Sequence, residues 1–217
     1  MLQFNEAQNQ EKDFKLYLQN RFKSDKKLEI IQKIDKHHSD PINYISVTKH
    51  NDQMFVLSSA GDGKIKLLIL SEEIKTAEKS FLPLYPLCCA ISPIPNRTEL
   101  IIAAAFDDYS LRFFLVDEKT TDFIERAKLQ IGEDWTTNLA FAKNEKGGLR
   151  LAIGNHDHLF RVLEIGETVE EKEVSKSKYR LEVDKKMLSN SSLELKMETI
   201  LNGHANWVTG KGIYNLE

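Results

Sequence analysis

Three stretches of this chain can be laid one upon another. They are Ser58-Ser59-Ala60-Gly61-Asp62-Gly63-Lys64-Ile65-Lys66-Leu67-Leu68, Ala104-Ala105-Phe106-Asp107-Asp108-Tyr109-Ser110-Leu111-Arg112-Phe113-Phe114 and Ile153-Gly154-Asn155-His156-Asp157-His158-Leu159-Phe160-Arg161-Val162-Leu163. In each, small residues lead to an aspartate; two variable residues, an apolar residue, a base and two apolar residues follow. Aspartate after small residues marks a tight turn, because it tolerates turn geometry and its carboxylate bonds nearby backbone amides. The apolar and basic alternation behind it is that of a strand half-buried in a stack. The aspartates Asp62, Asp108 and Asp157 lie 46 and 49 residues apart. A weaker copy, Glu11-Lys12-Asp13-Phe14-Lys15-Leu16-Tyr17, puts Glu11 at the aspartate position 51 residues upstream.

Working outward, the same order of apolar runs surrounds each turn. Ahead of it lie Met54 to Leu57, Leu100 to Ala103 and Leu149 to Ile153, and ahead of those lie Ile42 to Val47, Leu87 to Ile91 and Leu139 to Ala142. A fourth run closes the unit at Leu28 to Ile34, Phe123 to Leu129 and Leu195 to Leu201. Four short strands in a repeat of about 45 residues are the measure of one propeller blade. The spacing predicts an all-β chain with blades at about 35–80, 81–130 and 131–201. Residues 1–8 are polar and read as a disordered N-terminus, and 9–34 as the last two strands of a further blade. Inside the third blade, about 166–192 is a charged loop insertion, where Glu167, Glu170, Glu171 and Glu173 alternate with Lys172, Lys176, Lys178 and Arg180. It is too poor in large apolar residues to fold by itself and reads as a solvated loop, a partner-binding loop or a lone helix.

The 217 residues carry 30 Lys+Arg against 33 Asp+Glu, a net charge of −3, which excludes a strongly basic domain held to phosphate by charge alone. The longest apolar run, Leu100 to Phe106, is far short of the roughly 20 residues of a membrane helix. Met1-Leu2-Gln3-Phe4-Asn5-Glu6 lacks the basic-then-apolar order of an export signal. Cys88 and Cys89 are neighbours, poorly placed to bridge, and read as reduced thiols of a cytoplasmic or nuclear protein. Ten Gly and five Pro are few for so much strand.

Leu201-Asn202-Gly203-His204-Ala205-Asn206-Trp207-Val208 carries a Gly-His dipeptide, and His38 stands at the matching place in His37-His38-Ser39-Asp40-Pro41-Ile42. With the turn aspartates, these features make the chain resemble the WD-repeat β-propeller family. The resemblance implies a hydrogen-bonded network inside each blade, built from the histidine, the turn aspartate and strand hydroxyls. Carried over, His38 pairs with Asp62, while Asp108 and Asp157 hold the same turn position and His204 opens a further blade. The repeats are worn. The two middle units lack the histidine, and the family's tryptophan is Leu68, Phe114 and Leu163.

In the order of its landmarks, over about 9–217, the chain is similar to the Elongator-subunit branch of that family, whose members carry two propellers. Those landmarks are the His38 to Ile42 opening, the Leu100 to Phe114 blade with paired aspartates, and the worn Leu129 to Trp135 blade completed by Leu149 to Leu163. The charged insertion and Met197 to Val208 complete the series.

The chemistry search is lean. No nucleophile elbow, phosphate-binding glycine loop or zincin helix occurs, and Gly61-Asp62-Gly63 is a hairpin turn by position. His156-Asp157-His158 offers two histidines without a cysteine, short of a zinc site, and the repeat claims Asp157 for its turn. The register leaves Asp107 beside the turn, and His50, next to Asn51 and Asp52, reads as solvated. Lys15, Lys66, Arg112 and Arg161 hold equivalent strand positions, expected as charges on a solvated face or as a weak RNA-tracking ring. Trp135 and Trp207 follow an acidic or amide residue where a blade's first strand opens, and read either as an interaction surface or as packed structural tryptophans.

These readings lead to an incomplete WD-repeat β-propeller of about three blades, with partial blades at both ends. It is expected to be neither an enzyme nor a cofactor or metal protein. The resemblance implies a scaffold that grips other Elongator subunits, the large scaffold subunit and the catalytic subunit. It is expected to bind nucleic acid weakly if at all and to make no membrane contact. A generic WD-repeat adaptor is the alternative. Seven blades would need over 300 residues at roughly 45 each, so the chain is expected to be part of a larger product or to complete its ring with another chain.

Overall fold

The computed structural model describes residues 34, 37–71, 74–117, 121–131, 133–143, 147–167, 181–182 and 193–202. The chain divides into two compact units, Met1–His37 and His38–Glu217. Of the first, only Ile34 and His37 are described, so the expected N-terminal disorder and most of the strands expected within 9–34 lie outside the described residues. Every described strand belongs to the second unit.

That unit is all-β, and among the described residues it contains no helix. Sheet 1 is the meander β1 (Ile42–His50), β2 (Gln53–Ala60), β3 (Lys64–Leu70) and β4 (Lys75–Ser80). Sheet 2 runs β5 (Pro86–Pro93), β6 (Glu99–Phe106), β7 (Ser110–Asp117) and β8 (Phe123–Gln130). Sheet 3 holds β9 (Thr136–Lys143), β10 (Leu149–Asn155), β11 (Leu159–Glu167) and, after the charged insertion, β13 (Leu193–Asn202). All neighbours are antiparallel. Short connections favour this, since a hairpin needs only a few residues where a parallel crossover needs a dozen.

The first strands of successive sheets adjoin, β1 beside β5 and β5 beside β9. Polar groups stitch them together. Asn43 Nδ2 donates to the Pro86 carbonyl at 3.1 Å, the Ile91 N–H to Ser46 Oγ at 3.2 Å, and Tyr44 OH to the Leu139 carbonyl at 3.4 Å. Sheet 2 lies between two cores. Leu100, Ile102 and Phe114 pack with Phe55, Leu57 and Leu67 of sheet 1, whereas Ile101, Ala103 and Phe113 pack with Leu151, Ile153 and Leu163 of sheet 3. A strand buried on both faces has no polar side to alternate with. That is why β6 reads Leu-Ile-Ile-Ala-Ala-Ala-Phe without a break.

Four readings change. Lys75–Ser80, with no large apolar residue, was not expected as a strand but forms β4, whose backbone pairs with β3 from Lys64↔Ser80 to Ile69↔Lys75. Ala77 is its hydrophobic contribution to the core. Next, His50 is not a solvated loop residue. It is the half-buried last residue of β1, paired with Gln53 across a two-residue turn in which Asn51 and Asp52 take φ 47° and 60°, the left-handed pair a tight hairpin demands. Third, the charged insertion is not all loop. β11 continues through Glu167, and Leu181–Glu182 form β12, pairing with Leu129 and Lys128 on the open edge of β8, where unpaired backbone groups accept a further strand. Its remaining residues lie outside the described ones. Fourth, the recurring basic side chains turn inward to carboxylates of their own sheets instead of forming a solvated ring.

Candidate functional site

The three repeat turns share a backbone construction. In the first two, the residue after the aspartate closes a β-turn, Gly63 N–H to the Ala60 carbonyl at 3.3 Å and Tyr109 N–H to that of Phe106 at 3.1 Å. That residue is left-handed in all three, with φ 71° at Gly63, 63° at Tyr109 and 65° at His158. Gly63 has a further reason to be glycine, since a Cβ there would meet a Leu82 methyl at 2.5 Å. Each aspartate accepts the N–H two residues on, from Lys64 at 3.0 Å, Ser110 at 3.1 Å and Leu159 at 3.1 Å.

The residue before each aspartate donates its N–H to the carbonyl just ahead of the sheet's first strand. Gly61 reaches Pro41 at 3.0 Å, Asp107 reaches Tyr85 at 3.1 Å and His156 reaches Trp135 at 2.9 Å. This main-chain latch ties each repeat turn to the entrance of its own sheet.

What lies inside the turn differs. In sheet 1, Nδ1 of His38 stands 2.9 Å and 3.1 Å from the two Asp62 oxygens, and its Nε2 is 2.8 Å from Ser58 Oγ. The Ser39 N–H adds a bond to Asp62 at 3.2 Å. The side chains of His38 and Asp62 are 1% and 6% exposed. Burial pushes the Asp62 carboxyl up, but the bonds from His38, Ser39 and Lys64 outweigh it and hold the group below its ordinary value. Ser58 was not singled out from sequence, though it lies four residues before the aspartate, on the strand leading into the turn.

Sheets 2 and 3 use arginine. Arg161 reaches Asp157 with both terminal nitrogens, Nη1 to Oδ1 at 3.0 Å and Nη2 to Oδ2, the fork geometry guanidinium favours with carboxylate. Arg112 Nη2 reaches Asp108 at 3.3 Å, its Nε bonds Ser110 Oγ at 3.2 Å, and its guanidinium lies 5.0 Å over the Phe106 ring. The Ser110 hydroxyl also donates to Asp108. Burial raises the Asp108 carboxyl, but the Ser110 bonds, Arg112 and Lys128 win and lower it. In sheet 1 the matching base, Lys66, turns instead to Glu78 at 2.7 Å, joined there by Lys64 at 2.8 Å. Those two hydrogen bonds draw Glu78 down to about 2.

The expected solvated ring of bases is therefore corrected. Lys66, Arg112 and Arg161 side chains are 14%, 16% and 2% exposed, each paired to a carboxylate of its own sheet. Lys15 lies outside the described residues. The cause is register: the base four residues after the aspartate points to the face that the turn carboxylate also reaches. Arginine at that offset in two repeats was the available signal.

His204 and Trp207 lie outside the described residues. Trp135 is 45% exposed, its ring 5.9 Å from that of His156, and its N–H donates to Asp134 at 2.8 Å. His156 and His158 both sit in the third turn, and Nδ1 of His156 is 4.0 Å from Asp134. Among the described residues, no three His, Cys, Asp or Glu side chains gather as a metal site. Cys88 and Cys89 form no disulfide and are buried in the two different cores, and burial pushes Cys89 up to about 12. No helix among the described residues is long and apolar enough to cross a membrane.

No family model matches the chain, and no match was found among curated proteins.

Proposed function

We propose that this chain is a WD-repeat β-propeller segment resembling the first propeller of Elongator complex subunit 2, and that it acts as a non-catalytic scaffold. The observation that carries the reading is the His38–Asp62–Ser58 network, buried behind a latched turn and set within meanders that repeat in register. The same turn recurs with arginine in place of histidine, as expected of a worn repeat. Its partners are the other Elongator subunits, the large scaffold subunit and the catalytic subunit, which carries the chemistry of wobble-uridine modification in tRNA. The chain's share is assembly through protein surfaces in the cytoplasm or nucleus. Near-balanced charge supports this role, and Lys66, Arg112 and Arg161, the bases that recur in the repeats, are consumed by internal carboxylates.

The test is affinity purification of the tagged full-length protein from native lysate, with deletion of its gene alongside. Recovery of the other Elongator subunits, with loss of wobble-uridine side chains on deletion, is the expected result. Recovery of a cullin-type ligase with intact wobble uridines would replace this reading with that of a general adaptor.

A further inference from the structure

The entrances of sheets 2 and 3 place aromatic rings beside carboxylates at one end of the molecule. Tyr85 and Asp107 are joined in both directions, Asp107 N–H to the Tyr85 carbonyl at 3.1 Å and Tyr85 N–H to Asp107 Oδ1 at 3.0 Å. Trp135 is held to Asp134 at 2.8 Å through its own N–H. The two entrances adjoin, with Cys88 Sγ 3.5 Å from the Thr136 carbonyl. Tyr85, Trp135 and the turn residue Tyr109 are 43%, 45% and 39% exposed. Their rings remain open to solvent on a backbone pinned by the latch.

The carboxylates at this end fall into two sets. Asp62, Asp108 and Asp157 are satisfied from within by His38, Arg112 and Arg161. Asp107 and Asp134 accept backbone N–H groups instead. Among the described residues neither pairs with a lysine or arginine, and the nearest cationic candidate is His156, 4.0 Å from Asp134. The surplus at this end is thus negative charge next to exposed π faces. A guanidinium or ammonium group gains from both, by stacking over the ring and by a charge-assisted bond to the carboxylate. A single-stranded nucleic acid would gain only from stacking its bases, while the acids repel its phosphates.

We propose that the Tyr85–Asp107 and Trp135–Asp134 pairs, with Tyr109 two residues on from Asp107, form a docking surface for an extended basic segment of a partner protein. This deepens the scaffold reading by naming the chemistry of one contact, and it rests on that reading for its biological setting. The measurement does not depend on which complex the chain joins. Fluorescence anisotropy would follow the purified full-length protein binding a short labelled peptide of alternating arginine and glycine. A matched glutamate–glycine peptide and a single-stranded oligouridine serve as competing probes.

The expected result is binding of the basic peptide alone, weakening as salt is raised. Replacing both acids, Asp107→Asn with Asp134→Asn, should weaken binding about tenfold, and Trp135→Ala by a similar factor. Melting curves identify any variant that has lost its fold, and the conservative asparagine pair decides the matter if Trp135→Ala is among them. Unchanged affinity in the folded asparagine variant overturns the proposal. So does tighter binding of the RNA, or no binding of the basic peptide to the native protein. A failed recovery of Elongator subunits would leave this measurement standing.

Discussion

Sheets 1 and 2 are built to one pattern and buried to different depths. Ile45, Val47 and Met54 of sheet 1 match Cys89, Ile91 and Leu100 of sheet 2: the first two of each set pair with residues four and six positions ahead of the turn aspartate, and the third lies eight positions ahead of it. The first three are 55%, 56% and 46% exposed, and the second three 0%, 4% and 0%. In sheet 3 the matching Leu139 and Leu149 are 2% and 3% exposed. The apolar material is present in all three, and what differs, among the described residues, is that another sheet packs against these positions in sheets 2 and 3. Side-chain pattern thus tells which face is meant for packing, and neighbours decide whether that face contributes. At roughly 25 cal/mol for each Å² of apolar surface removed from water, the same residue type is worth far more in sheet 2.

The sharpest way to break the comparison is to cut one large apolar side chain from each sheet. Phe114→Ala, in the fully buried middle sheet, should cost about 3 to 5 kcal/mol, while Ile45→Ala, half exposed, should cost about 1 kcal/mol or less. Denaturant midpoints at constant slope report both. Equal losses would mean that the outer face of sheet 1 is as covered as the middle sheet.

A smaller effect contrasts the two kinds of turn. Asp157→Asn removes the charge that Arg161, 2% exposed, grips with both terminal nitrogens, and should cost about 3 kcal/mol. His38→Ala leaves Asp62 its backbone bonds and should cost about 1 to 3 kcal/mol. A double-mutant cycle on His38 and Asp62 should return a favourable coupling of about 1 kcal/mol or more. A coupling of zero would reduce the histidine to filler.

The smallest effect is in acid. Asp62, Asp108 and Glu78 have lowered pKa values in the fold, so the unfolded chain binds more protons as pH falls. Their contribution is complete above the ordinary carboxylate range. It drains away as pH drops from near 4.5 toward about 2, the interval over which Glu78 is shifted. Melting temperature should fall through that window, and Asp62→Asn should flatten the slope. An unchanged slope would mean that Asp62 binds its proton equally well in the folded and unfolded chain.

The strands flanking each turn were legible because Asp62, Asp108 and Asp157 punctuate alternating runs at a fixed interval. β4 was not, since Lys-Thr-Ala-Glu-Lys-Ser spends one alanine on the core and the rest on solvent. The place of His38 against Asp62 was legible through resemblance. The buried pairing of Arg112 and Arg161 was missed because strand alternation assigns a side chain to a face without saying what waits there. Sheet 2's double burial was visible as the unbroken run into Phe106, but only the arrangement of sheets explains it.

The latch is written in main chain. Its donors are a glycine, an aspartate and a histidine, and its acceptors a proline, a tyrosine and a tryptophan. Backbone N–H and C=O groups do not depend on those identities, so these positions differ from sheet to sheet while the joint stays the same. A repeat fastened this way can lose its lettering and keep its hinge pins.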